Sequence, residues 1–467
     1  MASRHRLGCL LAMAALLATP AGAAEEDKDL DLIPQAAQTP APAAAPVANP
    51  NRRNDLEDAF AVSVPRGGLA VPAPPPAAPG WEDRLFLDSR DTWQLADTLS
   101  ATYSGRFNLR AETDIPFPNH EAVRNELREA FVSWHPADSL WLDLGRINVK
   151  NGVAAGANPT DFFRSRSVVE PLTADPRVQR EDRLGTLMLL AQAVWPRGEL
   201  TAAFAPKVTR PTAIYTNLDL PSVDPMLDRT NAADRLLLKG SLTVADGVSP
   251  ELLFYHEGTR SQVGANLTLG LGQATVGYVE WAGGVRPSLI DDALRYGRTT
   301  GTLPSGAPSP IPENSAQWFQ NDVVVGASYI LAGKVTLNVE YHYNQAGFSA
   351  QDWRNWFAAG SRGIAGLDRS LWYLRGYAQD QQQTVTRHSG FVRADWVDAF
   401  VPDLELTALA SVDLHDGSGL AQATADYYLS RAWTVGGLAG FTFGGRRSDF
   451  GSLPTAGSVL IRLVRYL

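Results

Sequence analysis

Cysteine is all but missing from this chain. The single one, Cys9, sits inside the apolar stretch Leu7 to Leu17. A chain that has lost this leader carries no thiol, which excludes disulfides and thiolate metal sites. Long hydrophobic runs are missing too. Beyond the leader no apolar stretch approaches the roughly 20 residues that a membrane-spanning helix needs. No charge of one sign dominates: 41 Lys and Arg stand against 50 Asp and Glu, a net charge of −9. Nothing in that balance points to nucleic acid. The histidines are few and dispersed, without metal-ligand spacing, so neither a metal nor another cofactor is expected.

What is there begins with a leader. Arg4 and Arg6 precede the apolar core, and Ala21-Gly22-Ala23 follows it as a small-residue cleavage site. Residues 1–23 read as a secretory signal peptide. Cys9 lies within the core rather than after it, which argues against a lipid anchor. From 24 to 93 the chain is acidic at Glu25-Glu26-Asp27 and rich in Ala and Pro over Thr39 to Pro50 and Val71 to Pro79. Such sequence favours extended, unfolded chain. A disordered periplasmic tail is expected there. Within it Asp55 to Val62 reads as a less polar patch of linker, with a docking motif or short helix as the other readings.

From Thr98 onward the pattern changes. Leu99, Ala101, Tyr103, Gly105, Phe107, Leu109 and Ala111 alternate with Ser100, Thr102, Ser104, Arg106, Asn108, Arg110 and Glu112. A period of two makes a strand with one greasy and one wet face. Soluble sandwich strands are usually shorter, whereas about ten alternating residues suit a tilted strand crossing a bilayer. The same pattern recurs at 126–135, 139–149, 184–195, 199–207, 234–244, 250–258, 261–271, 273–283, 322–331, 334–345, 387–397, 404–414, 419–430, 432–443 and 456–467. With the first at 97–112, the count is about sixteen. An even number keeps both chain ends on one side. The expected fold is all-β: a transmembrane antiparallel up-and-down barrel over 94–467. The mean hydropathy of −0.15 fits it, since half of every strand is polar. Leu371 to Gln379 would make the count odd and is assigned to an outer loop, as is a helical turn over Trp353 to Ala359.

Trp134, Trp141, Trp195, Trp396 and Trp433 fall beside the expected short turns. Indole rings prefer the membrane–water interface, so these five read as one aromatic girdle. The chain ends Val459, Ile461, Leu463, Arg465, Leu467, with Arg465 on the lipid parity near the interface, where it can snorkel.

Several strings resemble outer-membrane porin-like proteins of Gram-negative bacteria. They are Leu127 to Trp134, Leu144-Gly145-Arg146-Ile147, Asn158-Pro159-Thr160-Asp161-Phe162-Phe163 and Glu181 to Gly185. The resemblance is specific over about 120–190. It implies an outer-membrane barrel with a pore, without implying a solute.

In a wide barrel the selective work falls to lumen charges and to a loop in the bore. The candidate loop runs from Asn151 to Asp182. It opens with Gly152-Val153-Ala154-Ala155-Gly156, small enough to lie close to a wall. It then offers Asp161, Arg164, Arg166, Glu170, Asp175, Arg177, Arg180, Glu181 and Asp182. Two readings stand for it: a constriction with charges of both signs, or an extracellular loop whose charges bind one another and lipopolysaccharide. On the walls the wet parity carries Arg106, Arg110, Arg235, Lys239, Lys334 and Arg393 against Glu112, Glu340, Asp395, Glu405, Asp413 and Asp426. No sign dominates, so no ion selectivity is assigned.

His415-Asp416-Gly417-Ser418 is ordinary tight-turn chemistry, and catalysis is not expected. The leading functional reading is passive diffusion of small hydrophilic solutes through an outer-membrane channel. The other is an accessory barrel coupled through its tail to a periplasmic polymer-export complex. The expected partners are outer-membrane lipid with lipopolysaccharide and the barrel-assembly machinery. A periplasmic partner of the tail and a homotrimer stay open.

Overall fold

The structure is a computed structural model. It describes residues 52–73, 80–112, 123–169, 171–213, 224–245, 247–304, 309, 311–313, 316–364 and 366–467. The signal peptide and residues 24–51 of the expected tail lie outside the described residues.

Among the described residues, eighteen strands close into one antiparallel barrel. They are β1 (Arg52–Pro65), β2 (Trp81–Ala96), β3 (Leu99–Glu112), β4 (Val123–Ala137), β5 (Leu140–Ile147) and β6 (Thr186–Trp195). Next come β7 (Gly198–Ala205), β8 (Arg235–Leu242), β9 (Glu251–Glu257), β10 (Arg260–Gly270), β11 (Thr275–Arg286) and β12 (Trp318–Leu331). The circle is completed by β13 (Val335–Asn344), β14 (His388–Trp396), β15 (Leu404–Asp413), β16 (Gly419–Ser430), β17 (Trp433–Phe443) and β18 (Thr455–Tyr466). Each strand pairs with its chain neighbours, and β1 pairs with β18 to close the sheet. Closure follows from the solvent: in hydrocarbon, an unpaired backbone N–H or C=O costs several kcal/mol, so no open edge is stable.

The count of about sixteen becomes eighteen because the barrel begins at Arg52, not at 94. The segment expected as tail contributes β1 and β2. The patch Asp55 to Val62 is the centre of β1, paired with both β2 and β18. Its inward row is Asp55, Glu57, Ala59 and Ala61, and Leu56, Phe60 and Val62 face out. Asp58 and Asp83 interrupt the greasy rows of β1 and β2, where they share a hydrogen bond. That interruption, and the prolines between the two strands, hid the alternation.

Along most of the other strands the alternation holds. Phe107, Leu144, Leu189, Leu252, Val339 and Ile461 project outward, each at least 42% exposed. This is the lipid-facing surface of a membrane barrel. Trp93, Trp134 and Trp195 are exposed near the short-turn rim, and Trp396 and Trp433 end or begin strands there. Trp141 departs from the expected girdle: it shares the inward parity of Asp143 and packs edge-on against His135. Arg465 lies over the Trp433 ring, 5.1 Å from its centroid, as a snorkelling cation would.

Both β1 and β18 have their free ends at the short-turn rim. The opposite rim carries the long connections, including α1 (Pro176–Glu181), α2 (Leu227–Thr230), α3 (Leu289–Thr300), α4 (Ala350–Gly360) and α5 (Leu367–Asp380). Residues 371–379 therefore belong to a loop, as expected, but as the helix α5. Amphipathic spacing brings Leu289, Leu294, Trp353, Trp356, Leu371 and Leu374 into one buried cluster with Val71. Trp372 Nε1 donates to Pro72 O at 2.8 Å, and Arg375 reaches Asp449 at 2.5 Å and Ser452 Oγ at 2.8 Å. The outer connections are thus tied into a collar around the mouth.

Candidate channel constriction

The connection between β5 and β6, residues 148–185, folds into the barrel. Its first half lies on the inner face of β6–β11. Phe162 and Phe163 pack among Met188, Ala203, Leu237, Leu253 and Ala282. The Phe162 ring stacks on Tyr255 at 4.6 Å between centroids.

Two wall carboxylates hold the small-residue stretch. Glu280 on β11 accepts hydrogen bonds from Val153 N at 3.0 Å, Ala154 N at 3.3 Å, Thr160 N at 2.8 Å and Thr160 Oγ1 at 2.9 Å. Glu340 on β13 accepts from the N–H of Ala155, from Gly156 N at 3.0 Å, from Ala157 N at 3.4 Å and from the Tyr278 hydroxyl at 2.6 Å. Successive backbone N–H groups form a nest that fits an anion. Hydrogen bonds to charged groups contribute about 1.5–3 kcal/mol each. The approach needs the glycines. A Cβ on Gly152, whose φ is +90°, would lie 2.6 Å from the Glu280 carboxylate; one on Gly156 would lie 2.6 Å from the Phe391 ring.

The base of the loop is stapled as well. Arg183 and Asp161 pair at 2.6 and 3.2 Å, both 1% exposed.

The second half, 168–182, crosses to the other side. Leu172 packs with the inward residues Ala59, Ala61, Phe86, Leu438 and Leu460. Ala174 N donates to Gln422 Oε1 at 2.8 Å. Asp175 caps α1 by accepting from Arg177 N at 3.0 Å, and takes Arg393 of β14 at 3.1 Å.

A cavity of about 160 Å³ lies between this crossing segment and the walls of β1–β4 and β14–β18. The cavity's charged lining is Arg106, Arg128, Arg393 and Arg462 with Glu57, Glu126, Asp175, Asp182 and Asp426. Every arginine has a carboxylate at hand. Arg106 binds Asp88 at 2.6 and 2.5 Å and Asp182 at 3.3 Å. Arg128 is 3.1 Å from Asp182, and Arg462 is 2.8 Å from Asp426. The loop adds an apolar side: Val168, Val169, Pro171 and Val178, the last 40% exposed. Nε and Nη2 of Arg128 and Oδ1 of Asn108 are buried without a hydrogen-bond partner among the described residues.

Of the candidate residues, Arg106 and Arg393 line this cavity. Arg177 is exposed on α1. Glu340 anchors the loop, and Asp161 and Arg180 belong to its base, 3.6 Å apart. Arg164 faces Asp322 at 3.7 Å. Arg166 binds Asp380 of α5 at 3.0 Å, tying the loop to the collar. Arg110 pairs with Glu112 along its own strand at 2.5 Å, while Arg235 with Glu257 at 3.0 Å and Lys239 with Glu199 at 3.1 Å tie neighbouring strands and brace the wall. Asp413 is buried at the end of β15 and accepts from His415 N at 2.7 Å. Glu170 lies outside the described residues.

Four charged lining residues had no place among the candidates. Arg462 was readable from the wet parity of its strand. Glu57 was hidden with β1. Glu126 precedes, and Arg128 sits in, a bulge where β4 slips against β3, between Ser104 and Gly105. The bulge turns Arg128 and Glu129 to the same side, which breaks the period of two.

Outside the membrane wall, burial beside Arg375 sets the state of Asp449. Its carboxyl is pushed up to about 6, Asp413 and Asp416 adding to the effect and Arg375 opposing it.

No family model matches the chain, and no curated protein matches it. Among solved structures it is similar in fold to OccK8 (OprE) of Pseudomonas aeruginosa, at 10% identity and a TM-score of 0.49 over 89% of this chain and 97% of that one. OccAB1 of Acinetobacter baumannii aligns at 8% identity and a TM-score of 0.49 over 89% and 96%. The outer membrane protein opdK of Pseudomonas aeruginosa aligns at 9% identity and a TM-score of 0.47 over 89% and 98%.

Proposed function

We propose that this chain is an outer-membrane channel for passive diffusion of small hydrophilic solutes, with the long-loop rim facing outward. The observation that carries the reading is the loop 148–185. It fills one side of the bore and leaves a narrow, charged cavity on the other. An eighteen-strand barrel is too wide to be filled by strand side chains alone. A loop anchored at Glu280, Glu340 and Arg393 sets the free cross-section. Solutes are sorted by size and by charges of both signs, and no chemical step is involved. The compensated arginines argue against strong preference for anions or cations. The segment 24–51 is assigned, within this proposal, to a periplasmic tail behind the signal peptide.

The test is conductance of the purified mature protein in a planar bilayer. Steady ohmic steps, reduced in graded fashion by uncharged sugars of increasing size, are expected. A barrel silent across salt and voltage would overturn the proposal.

A further inference from the structure

The outside of the barrel carries a notch of about 360 Å³ at the long-loop rim, where β10, β11 and β12 meet α3. Its lower part is apolar. Val263, Val285 and Phe319 face outward from three adjacent strands and are exposed, while Gly283 offers only backbone. Phe319 stacks with Trp281 on the same face, 6.5 Å between centroids. A tryptophan and a phenylalanine at this height mark the membrane–water boundary.

The upper edge is cationic. Arg260 and Arg295 both line the notch. They share one carboxylate: Asp292 accepts from Arg260 at 3.0 and 2.7 Å and from Arg295 at 2.5 Å. Two guanidiniums on one carboxylate leave a net positive charge. Arg295 is 46% exposed and Arg260 31%. Grease below and positive charge above, at the boundary, match an amphiphile with acyl chains and an anionic head. A free phosphate would use only the upper half, and an uncharged lipid only the lower.

We propose that this notch binds a phosphorylated glycolipid of the outer leaflet, with an acyl chain along Val263, Val285 and Phe319 and a phosphate at Arg260 and Arg295. The site rests on the outward orientation of the long-loop rim proposed above, but it is separate from the bore, so it stands or falls apart from solute passage.

The mature protein in detergent is titrated with lipid A, a phosphorylated and acylated glucosamine disaccharide, and bound lipid is counted by native mass spectrometry. One retained lipid is expected. Binding should weaken at least about tenfold with dephosphorylated lipid A and in the R260Q/R295Q variant. F319S, which keeps both guanidiniums, should also weaken it. Millimolar inorganic phosphate should not displace the lipid. Single-channel conductance and heat-resistant gel mobility should stay unchanged in these variants, which reports that they fold. Equal binding of the dephosphorylated lipid, or full binding by a folded R260Q/R295Q variant, would overturn the proposal. So would displacement by inorganic phosphate, which would leave a simple anion site.

Discussion

Arg393 on β14 grips Asp175 on the crossing loop, two of its nitrogens lying 3.1 and 3.2 Å from one carboxylate oxygen. Both side chains are buried. Arg393 also pairs with Asp395 on its own strand, so removing the Asp175 charge leaves that cation compensated and undoes its grip on the loop. Asp175→Asn keeps a side chain able to cap α1 but removes the ion pair. Single-channel traces of this variant should show larger open-channel noise than wild type. Unchanged quiet traces would mean that the loop does not depend on this grip.

Glu280 and Glu340 act on the other half of the loop. The E280Q/E340Q variant loses both negative charges while keeping most of the side-chain volume. The loop should leave the wall, and conductance and the size of the largest admitted sugar should both rise. A folded variant with wild-type sugar exclusion would show that the aromatic packing of Phe162 and Phe163 suffices alone.

Charge balance in the cavity is open to a direct test. Asp182 is the loop carboxylate shared by Arg106 and Arg128. Asp182→Asn leaves those cations less compensated and should move the reversal potential in a salt gradient toward anion preference. Arg462→Gln should move it the opposite way. Wild type should lie between them, near no preference.

A pH response is expected in the collar. Asp449 has its carboxyl raised to about 6 by burial, from an ordinary value of 3.8. The folded chain therefore holds this proton more tightly than the unfolded one. The stability so contributed is fully present below the ordinary value and is lost as pH rises through about 6. Hydrogen exchange in α5 and in residues 444–454, corrected for its intrinsic pH dependence, should quicken across that range. Asp449→Asn should flatten the response.

The alternation of β3, β10 and β13 was legible because their greasy rows are unbroken, and those strands sit where the sequence placed them. β1 and β2 were not legible. Asp58 and Asp83 stand where lipid-facing residues belong, and a period of two cannot survive such exceptions. The small residues from Gly152 to Gly156 were recognisable as a stretch able to hug a wall. Which wall, and that Glu280 and Glu340 receive it, depends on contacts across more than a hundred residues of chain. Sign and parity alone could not separate Arg106, in the cavity, from Arg110, paired with Glu112 along its own strand.

The same boundary yields a truncation test. Deleting 24–51 should leave conductance intact. Deleting 24–79 removes β1 and should abolish the heat-resistant barrel band on a gel. If the longer deletion still gives a closed, conducting barrel, the assignment of β1 is wrong.

Because β1 joins β18, the seam of the cylinder is made from the first and the last strands of the described residues. A translation product that stops short of β18 has two raw edges and no means of covering them. Stable insertion into lipid therefore waits for β18. A frameshift near the C-terminus should be as damaging to assembly as one that removes half of the wall.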